Sequence, residues 1–231
     1  MNIAIIPARG RSKRIPYKNI YSFHGQPLIA YSIKAAIDSK VFDRIIVSTD
    51  DNEISIISKE YGAEIPFLRP NELASDMVGI HEVISHTIKW LQDDGCSFSN
   101  VCCISATAPF LKPNDLVSSL DLLISSNLSY VLSATEYTFP IQRSFKMKQN
   151  KTVKLFFPEH YHSRSQDLEK SYHDAGQFYW GTVNTWMMEK DIYTDKTAPY
   201  LLPAWRVQDI DTYDDLKHAE ILYEIIERDI I

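Results

Sequence analysis

Short, almost wholly apolar runs alternate along this chain with segments of helical period, and that alternation constrains the fold more than any other feature. Residues 3–8, 44–48, 64–67, 101–105 and 130–134 read as strands. A strand with one wet face would alternate polar and apolar residues; these do not, so both faces are expected to be covered. Between them lie amphipathic helices. Pro27 opens one with the stripe Leu28, Ile29, Tyr31, Ile33, Ala36 and Ile37; residues 51–61 form another, closed by Gly62; residues 79–91 and 113–125 supply two more. Strand–helix alternation of this kind predicts an α/β fold, a Rossmann-like, mainly parallel sheet sandwiched by helices.

The pattern breaks after Glu136. Residues 137–183 are dense in aromatic and polar groups, among them Phe139, Arg143, Phe145, Phe156, Phe157, Tyr161 and Tyr172, without a helical period. They read as β-hairpins inserted into the α/β core, which would comprise residues 1–136 and 184–231. The chain then returns with an expected strand at 207–210 and an amphipathic final helix at 212–228. Thr212 with Asp215 three residues on fits a capping box.

Composition narrows the classes. With 231 residues, 45% hydrophobic and 23% charged, the chain can bury a full core and is not a disordered tail. A net charge of -6 argues against a nucleic-acid partner, whose affinity would rest on a basic surface. Three cysteines, Cys96, Cys102 and Cys103, crowd one stretch without metal-ligand spacing, which points to a reducing, cytoplasmic setting. No secretory leader and no run of about 18 apolar residues is visible, so no membrane partner is expected.

Two places carry chemistry. The loop leaving the first strand, Pro7-Ala8-Arg9-Gly10-Arg11-Ser12-Lys13-Arg14-Ile15-Pro16-Tyr17-Lys18-Asn19, holds five cations. In open α/β sheets ligands sit beyond the carboxyl ends of the strands, where this loop must lie. A polyphosphate suits it: Gly10 lets backbone approach an anion, Ser12 and main-chain N–H groups donate, and Arg9, Lys13 and Lys18 neutralise phosphate oxygens. It is neither a Walker A loop nor a dinucleotide fingerprint, and a solvated basic loop is the competing reading. The second place is Asp209-Ile210-Asp211. Two carboxylates two residues apart on a strand converge on one hard cation, for which Mg2+ is suited; a helix cap beside a surface Asp is the alternative. Asp50 and Asp51 stand equally between ligand contact and helix cap. Cys102 and Cys103 read as buried apolar residues, and His160 and His162 as loop residues.

Taken together these segments become specific. The first loop resembles the P-A-R-G-G-S-K-x-I-P-x-K-N signature of the CMP-sialic acid synthetase family, cytidylyltransferases that activate nonulosonic acids. The resemblance continues through Val47-Ser48-Thr49-Asp50, Arg69-Pro70 with Leu73-Ala74 and Asp76, and Asp209-Ile210-Asp211-Thr212, across almost the whole chain and in the family's order. The segments from Ala106 to Phe110, Arg164 to Leu168 and Tyr172 to Gly181 are most similar to the branch that uses pseudaminic acid. Ser105 stands where relatives using N-acetylneuraminate have glutamine, and Arg11 where the family usually has glycine.

The resemblance implies that CTP and a nine-carbon α-keto acid sugar give a CMP-sugar and pyrophosphate with Mg2+, serving surface glycan synthesis. Carried over, Ala8, Arg9, Gly10, Ser12, Lys13, Lys18, Asn19, Arg69 and Asp76 would hold the nucleotide and Asp209 and Asp211 the metal. Arg9, Lys13 and Asp211 would be catalytic. Ser105, Thr107, Arg164, His173, Asp174, Gln177 and Tyr179 would meet the sugar. The aromatic insertion would be a dimerisation arm completing the site of a homodimer. Other readings are the same reaction on legionaminate or N-acetylneuraminate, and a nucleotide-binding regulator without turnover.

Overall fold

The computed structural model describes residues 1–75, 77–188 and 191–227. Its strands are β1 (Asn2–Pro7), β2 (Ser22–Phe23), β3 (Gln26–Pro27), β4 (Arg44–Ser48), β5 (Asn100–Ile104), β6 (Tyr130–Glu136), β7 (Phe145–Met147), β8 (Val153–Leu155), β9 (Tyr172–Thr182) and β10 (Thr197–Leu201). The α-helices are α1 (Leu28–Ser39), α2 (Asn52–Glu60), α3 (Ile80–Asp93), α4 (Pro113–Ser125), α5 (Val183–Met188) and α6 (Tyr213–Glu227). Six strands form the central sheet in the order β10-β6-β9-β5-β1-β4. All neighbours are parallel except β9, which runs antiparallel to both β5 and β6.

Both faces are dry, as the apolar strands require. On one, Ala4, Ile6, Val47, Cys102, Ile104 and Trp180 pack with Ile29, Ile33 and Ala36 of α1 and Leu116, Leu120 and Leu123 of α4. On the other, Ile3, Ile5, Ile46, Val101 and Cys103 meet Ile84, Ile88 and Leu91 of α3 and Trp186 of α5. A third cluster joins Ile15 of the first loop to Phe23, Leu28, Phe110, Ile210 and Leu216, so α6 is seated against the loop that follows β1. No described helix is long and apolar enough to cross a membrane.

Three expectations change. Residues 64–67 make only an isolated bridge, Glu64 to Ile46, and the chain next meets this edge at Arg69, whose N–H donates to Thr49 O (2.7 Å) just past the end of β4. Residues 207–210 form no strand; the outer parallel strand is instead β10, paired with β6. The insertion ends near Ser171, not at 183: residues 172–182 are the middle of the sheet. What projects is 137–171, with the small antiparallel pair β7–β8, closed at its base by the Tyr137 N–H donating to Ser171 O (2.9 Å). Within the sheet, β9 is not regular. Its register on β6 shifts between Leu132 and Ala134, Gly176 takes φ 65°, and Ser133 Oγ accepts the N–H of both Gln177 and Phe178 (3.1 Å each).

Candidate active site

The carboxyl end of β1 sets the site. The Ala8 N–H donates to Ser48 O (2.9 Å), after which the chain leaves the sheet over the end of β4. The Gly10 N–H donates to Asp50 Oδ1 (3.0 Å), and a Cβ on Gly10 would lie 2.6 Å from Asp51 Oδ2. Only glycine fits that approach. Asp51 cannot retreat, because its Oδ1 caps α2 by accepting the Glu53 and Ile54 N–H groups (2.8 and 3.0 Å). The loop closes on itself where buried Asn19 donates Nδ2–H to Arg9 O (2.9 Å).

The loop roofs a cleft of about 830 Å³. Arg9, Ser12, Lys13, Arg14, Lys18 and Asn19 line it from the loop; Arg69, Ser75, Val78, Gly79, Ile80 and Val83 from the chain entering α3 and its first turn; Ser105, Ala106 and Thr107 from the end of β5. Gly176 and Tyr179 of β9 and the pair Asp209 and Asp211 complete it. Eleven positions proposed from sequence therefore share one cavity: Arg9, Ser12, Lys13, Lys18, Asn19, Arg69, Ser105, Thr107, Tyr179, Asp209 and Asp211.

The others lie elsewhere. Ala8 is fully buried under the loop, and Gly10 faces Asp50 and Asp51. Gln177 is buried and donates Nε2–H to Arg206 O (2.7 Å), because the β9 irregularity takes it out of step with Tyr179. His173 and Asp174 line a second recess of about 440 Å³ with Tyr172, Tyr193 and Pro199. Asp174 links the two cavities: its Oδ2 accepts the hydroxyls of Tyr179 (2.5 Å) and Tyr193 (3.4 Å), while Oδ1 accepts the Gly176 N–H (2.7 Å). Burial first, and then the Asp174 charge, push both phenols above their ordinary range. Arg164 lies exposed on the projecting segment, paired with Asp167 (2.9 Å) and away from the cleft of its own chain. Asp76 lies outside the described residues.

The electrostatics divide the cleft. At one end Arg69 is 5% exposed, and its Nε and Nη2 have no hydrogen-bond partner. Its pKa is lowered by burial, opposed by Asp50. Nη2 stands 3.5 Å from Asp50, and Nε is left one acceptor short. At the other end Asp209 is raised above the ordinary carboxylate range by desolvation and then by the Asp211 charge. Asp211 Oδ1 accepts from Lys18 Nζ (3.1 Å), which also donates to Ile210 O (2.5 Å), and Asp211 Oδ2 pairs with Arg14 (2.8 Å). The Thr212–Asp215 box that starts α6 is present: Asp215 Oδ2 accepts the Thr212 N–H (2.8 Å) and Thr212 Oγ1 accepts the Asp215 N–H (3.2 Å). Asp209 and Asp211 offer only hard oxygen donors, and among the described residues no group of three or more His, Cys, Asp or Glu forms a complete metal cage. That donor set fits Mg2+, which takes one or two carboxylates and fills its shell with water and substrate phosphate.

Without a strand to fix it, the acidic segment is held by side chains. Arg206, buried, donates Nη1–H and Nη2–H to the two oxygens of Asp115 at the start of α4 (2.7 and 3.0 Å), three residues before Asp209. Sequence gave no signal for this pair, whose members lie 91 positions apart. Arg14 was visible only as one more loop cation.

A family model described as cytidylyltransferase matches residues 3–228. The pseudaminic acid cytidylyltransferase of Campylobacter jejuni subsp. jejuni is 45% identical over 224 residues, 97% of each chain. The CMP-N,N'-diacetyllegionaminic acid synthase of Legionella pneumophila is 34% identical over 231 residues, 96% of each. Among solved structures, a CMP:2-keto-3-deoxy-manno-octonic acid synthetase complexed with CTP superposes with a TM-score of 0.70 at 13% identity, over 96% of this chain and 98% of that one.

Proposed function

The chain belongs to the cytidylyltransferase family, and from that premise we propose that it transfers CMP from CTP to pseudaminic acid, releasing pyrophosphate. The observation that carries the choice of sugar is the 45% identity, over 97% of both chains, to an enzyme of that specificity, against 34% for the legionaminate enzyme. The cleft supports the reaction class. One nucleoside triphosphate spans it with its phosphates under Arg9, Ser12 and Lys13 and its nucleoside end toward Arg69 and the first turn of α3; the sugar enters from Ser105, Thr107 and Tyr179.

The anomeric oxygen of the sugar bonds to the α-phosphorus in line as the bond to the bridging oxygen breaks, and pyrophosphate leaves with that electron pair. The hydroxyl proton passes to a neighbouring carboxylate of the acidic segment, which lines the same cleft. Arg9 and Lys13 neutralise the departing charge, since transfer of this kind is mainly positioning and electrostatic stabilisation. Mg2+ held by Asp209 and Asp211 would add phosphate neutralisation and acidify the attacking hydroxyl.

We also propose a homodimer. Phe139 (80% exposed), Phe145, Met147 and Tyr161 put apolar surface on the projecting segment, more than a solvated hairpin needs. A partner's arm is then the source of Arg164 for the sugar carboxylate. The free cysteines suit cytoplasmic synthesis of a surface-glycan precursor.

Pyrophosphate release from CTP in Mg2+ with pseudaminate, legionaminate and N-acetylneuraminate in parallel tests the reading. Preference for pseudaminate is expected. A stronger response to another sugar overturns the specificity, and CTP binding without product from any of them overturns the activity.

A further inference from the structure

The end of β4 meets both halves of the nucleotide cleft. Ser48 O takes the Ala8 N–H at the root of the phosphate loop (2.9 Å), and Thr49 O takes the Arg69 N–H (2.7 Å). The next residue repeats the connection with its side chain. Asp50 Oδ1 accepts the Gly10 N–H (3.0 Å) and stands 3.5 Å from Arg69 Nη2, an ion-pair distance outside hydrogen-bond geometry. Its side chain is only 11% exposed.

An acid beside a cleft for a triphosphate needs a physical reason, because its charge repels the ligand. Capping α2 is not that reason. Asp51 alone receives the Glu53 and Ile54 N–H groups, and the Asp51 N–H is satisfied by Thr49 Oγ1 (3.1 Å). Nor does Asp50 line the cleft. It stands behind the wall, with Gly10 of the loop on one side and a buried guanidinium on the other. Arg69 also feels a second cation, Arg9, across the same cleft. Without a counter-charge that pair would push itself apart and burial would disfavour the Arg69 charge.

We infer that Asp50 is a positioning residue of the nucleotide site. Its carboxylate ties the phosphate loop to Arg69, so that the loop's donors and the guanidinium meet a single CTP molecule at a fixed separation. It acts through Arg69 and Gly10 and touches neither substrate. The inference rests on the reading of the cleft as a CTP site.

Asp50→Asn keeps the shape and an acceptor for the Gly10 N–H while removing the charge. CTP dissociation constants, from calorimetry at a temperature where the variant is folded, are expected to rise about tenfold, the scale of one lost charge-assisted contact, with the sugar KM near that of wild type and a lower melting temperature, because Arg69 loses its counter-charge. The same change in an Arg69→Met background is expected to alter CTP affinity less than about twofold, since its effector is gone. Asp50→Ser, which also offers Gly10 an acceptor, serves the same comparison if the Asn variant is unstable. CTP binding that is unchanged or tighter in the charge-removed variant overturns the inference, as does an equal loss with and without Arg69. A wild-type protein that fails to bind CTP overturns the functional reading instead, so the two failures are distinct.

Discussion

Arg206→Met is expected to cost the fold far more than its place in a short turn outside the sheet and helices suggests. The native side chain is 7% exposed and makes two bonds to the oxygens of Asp115, with a longer contact from Nη1 to Phe110 O (3.5 Å). Removing it leaves the Asp115 carboxylate buried with the Lys112 N–H (3.1 Å) as its remaining partner among the described residues. Breaking one side of a buried pair costs about 3–5 kcal/mol, because a bare charge remains in a poorly polarisable interior. At about 2–4 °C per kcal/mol for a domain of this size, the melting midpoint falls by roughly 10 °C. Arg206→Met with Asp115→Leu removes both charges. Apart from the lost α4 cap, worth about 1 kcal/mol, the double variant is expected to return most of the stability. Turnover should not return with it, since the segment ending at Asp209 is then held by the Gln177 bond to Arg206 O and the Lys18 bond to Ile210 O without the ion pair. Chemical denaturation of the single and double variants, with turnover measured at a temperature where both are folded, tests this. A single variant that loses less than about 1 kcal/mol, or a double variant that loses as much as the single, would refute the reasoning.

Gly10→Ala places a methyl 2.6 Å from Asp51 Oδ2; the loop must lift or the α2 cap must break, and CTP affinity is expected to fall about tenfold, one cap's worth of energy, while calorimetry with sugar alone shows no change. Asp209 is held above its ordinary pKa, so its ionisation opposes folding: that stability is present below about pH 4, the ordinary range, and is lost as pH rises through the folded value. Cation-free Asp209→Asn should therefore melt higher than wild type at pH 7 and converge with it in acid, and a variant that melts lower at neutral pH contradicts the assignment. Phe139→Glu with Phe145→Glu should convert a sedimenting dimer to monomer and abolish turnover without lowering CTP affinity; a monomeric wild type, or full activity in the double variant, removes the arm from the mechanism.

Four of the sheet's parallel strands and the cation loop were legible because each is a local pattern: apolar runs for β1, β4, β5 and β6, five charges and a glycine within residues 9–18. The cleft's far wall was legible only through resemblance, since Arg69, Ser105 and Tyr179 come from separate elements. What escaped was long-range. Tyr172 to Thr182 looked like hairpin because its aromatics alternate with small and polar residues, yet Phe178 and Trp180 fill one core while Tyr179 faces the cleft. A strand flanked on both sides has no sequence mark that tells parallel from antiparallel. Val207 to Ile210 has a strand's composition, but its anchor is the Arg206–Asp115 pair, and a salt bridge across 91 positions leaves no local pattern.

The place of β9 also orders the assembly of the chain during synthesis. β4, β1 and β5 can pair once residue 104 has emerged, and the resulting three strands end in an open edge at β5. β6 follows at 130–136 but cannot close that edge, because its neighbour is β9, made some 40 residues later after the whole projecting segment. Until then two pieces of sheet wait with unpaired backbone, the condition that invites strand exchange and aggregation in slow, non-local folds. A fragment stopping at 136 holds most of the cation loop's supports and none of the strand that joins them to the rest.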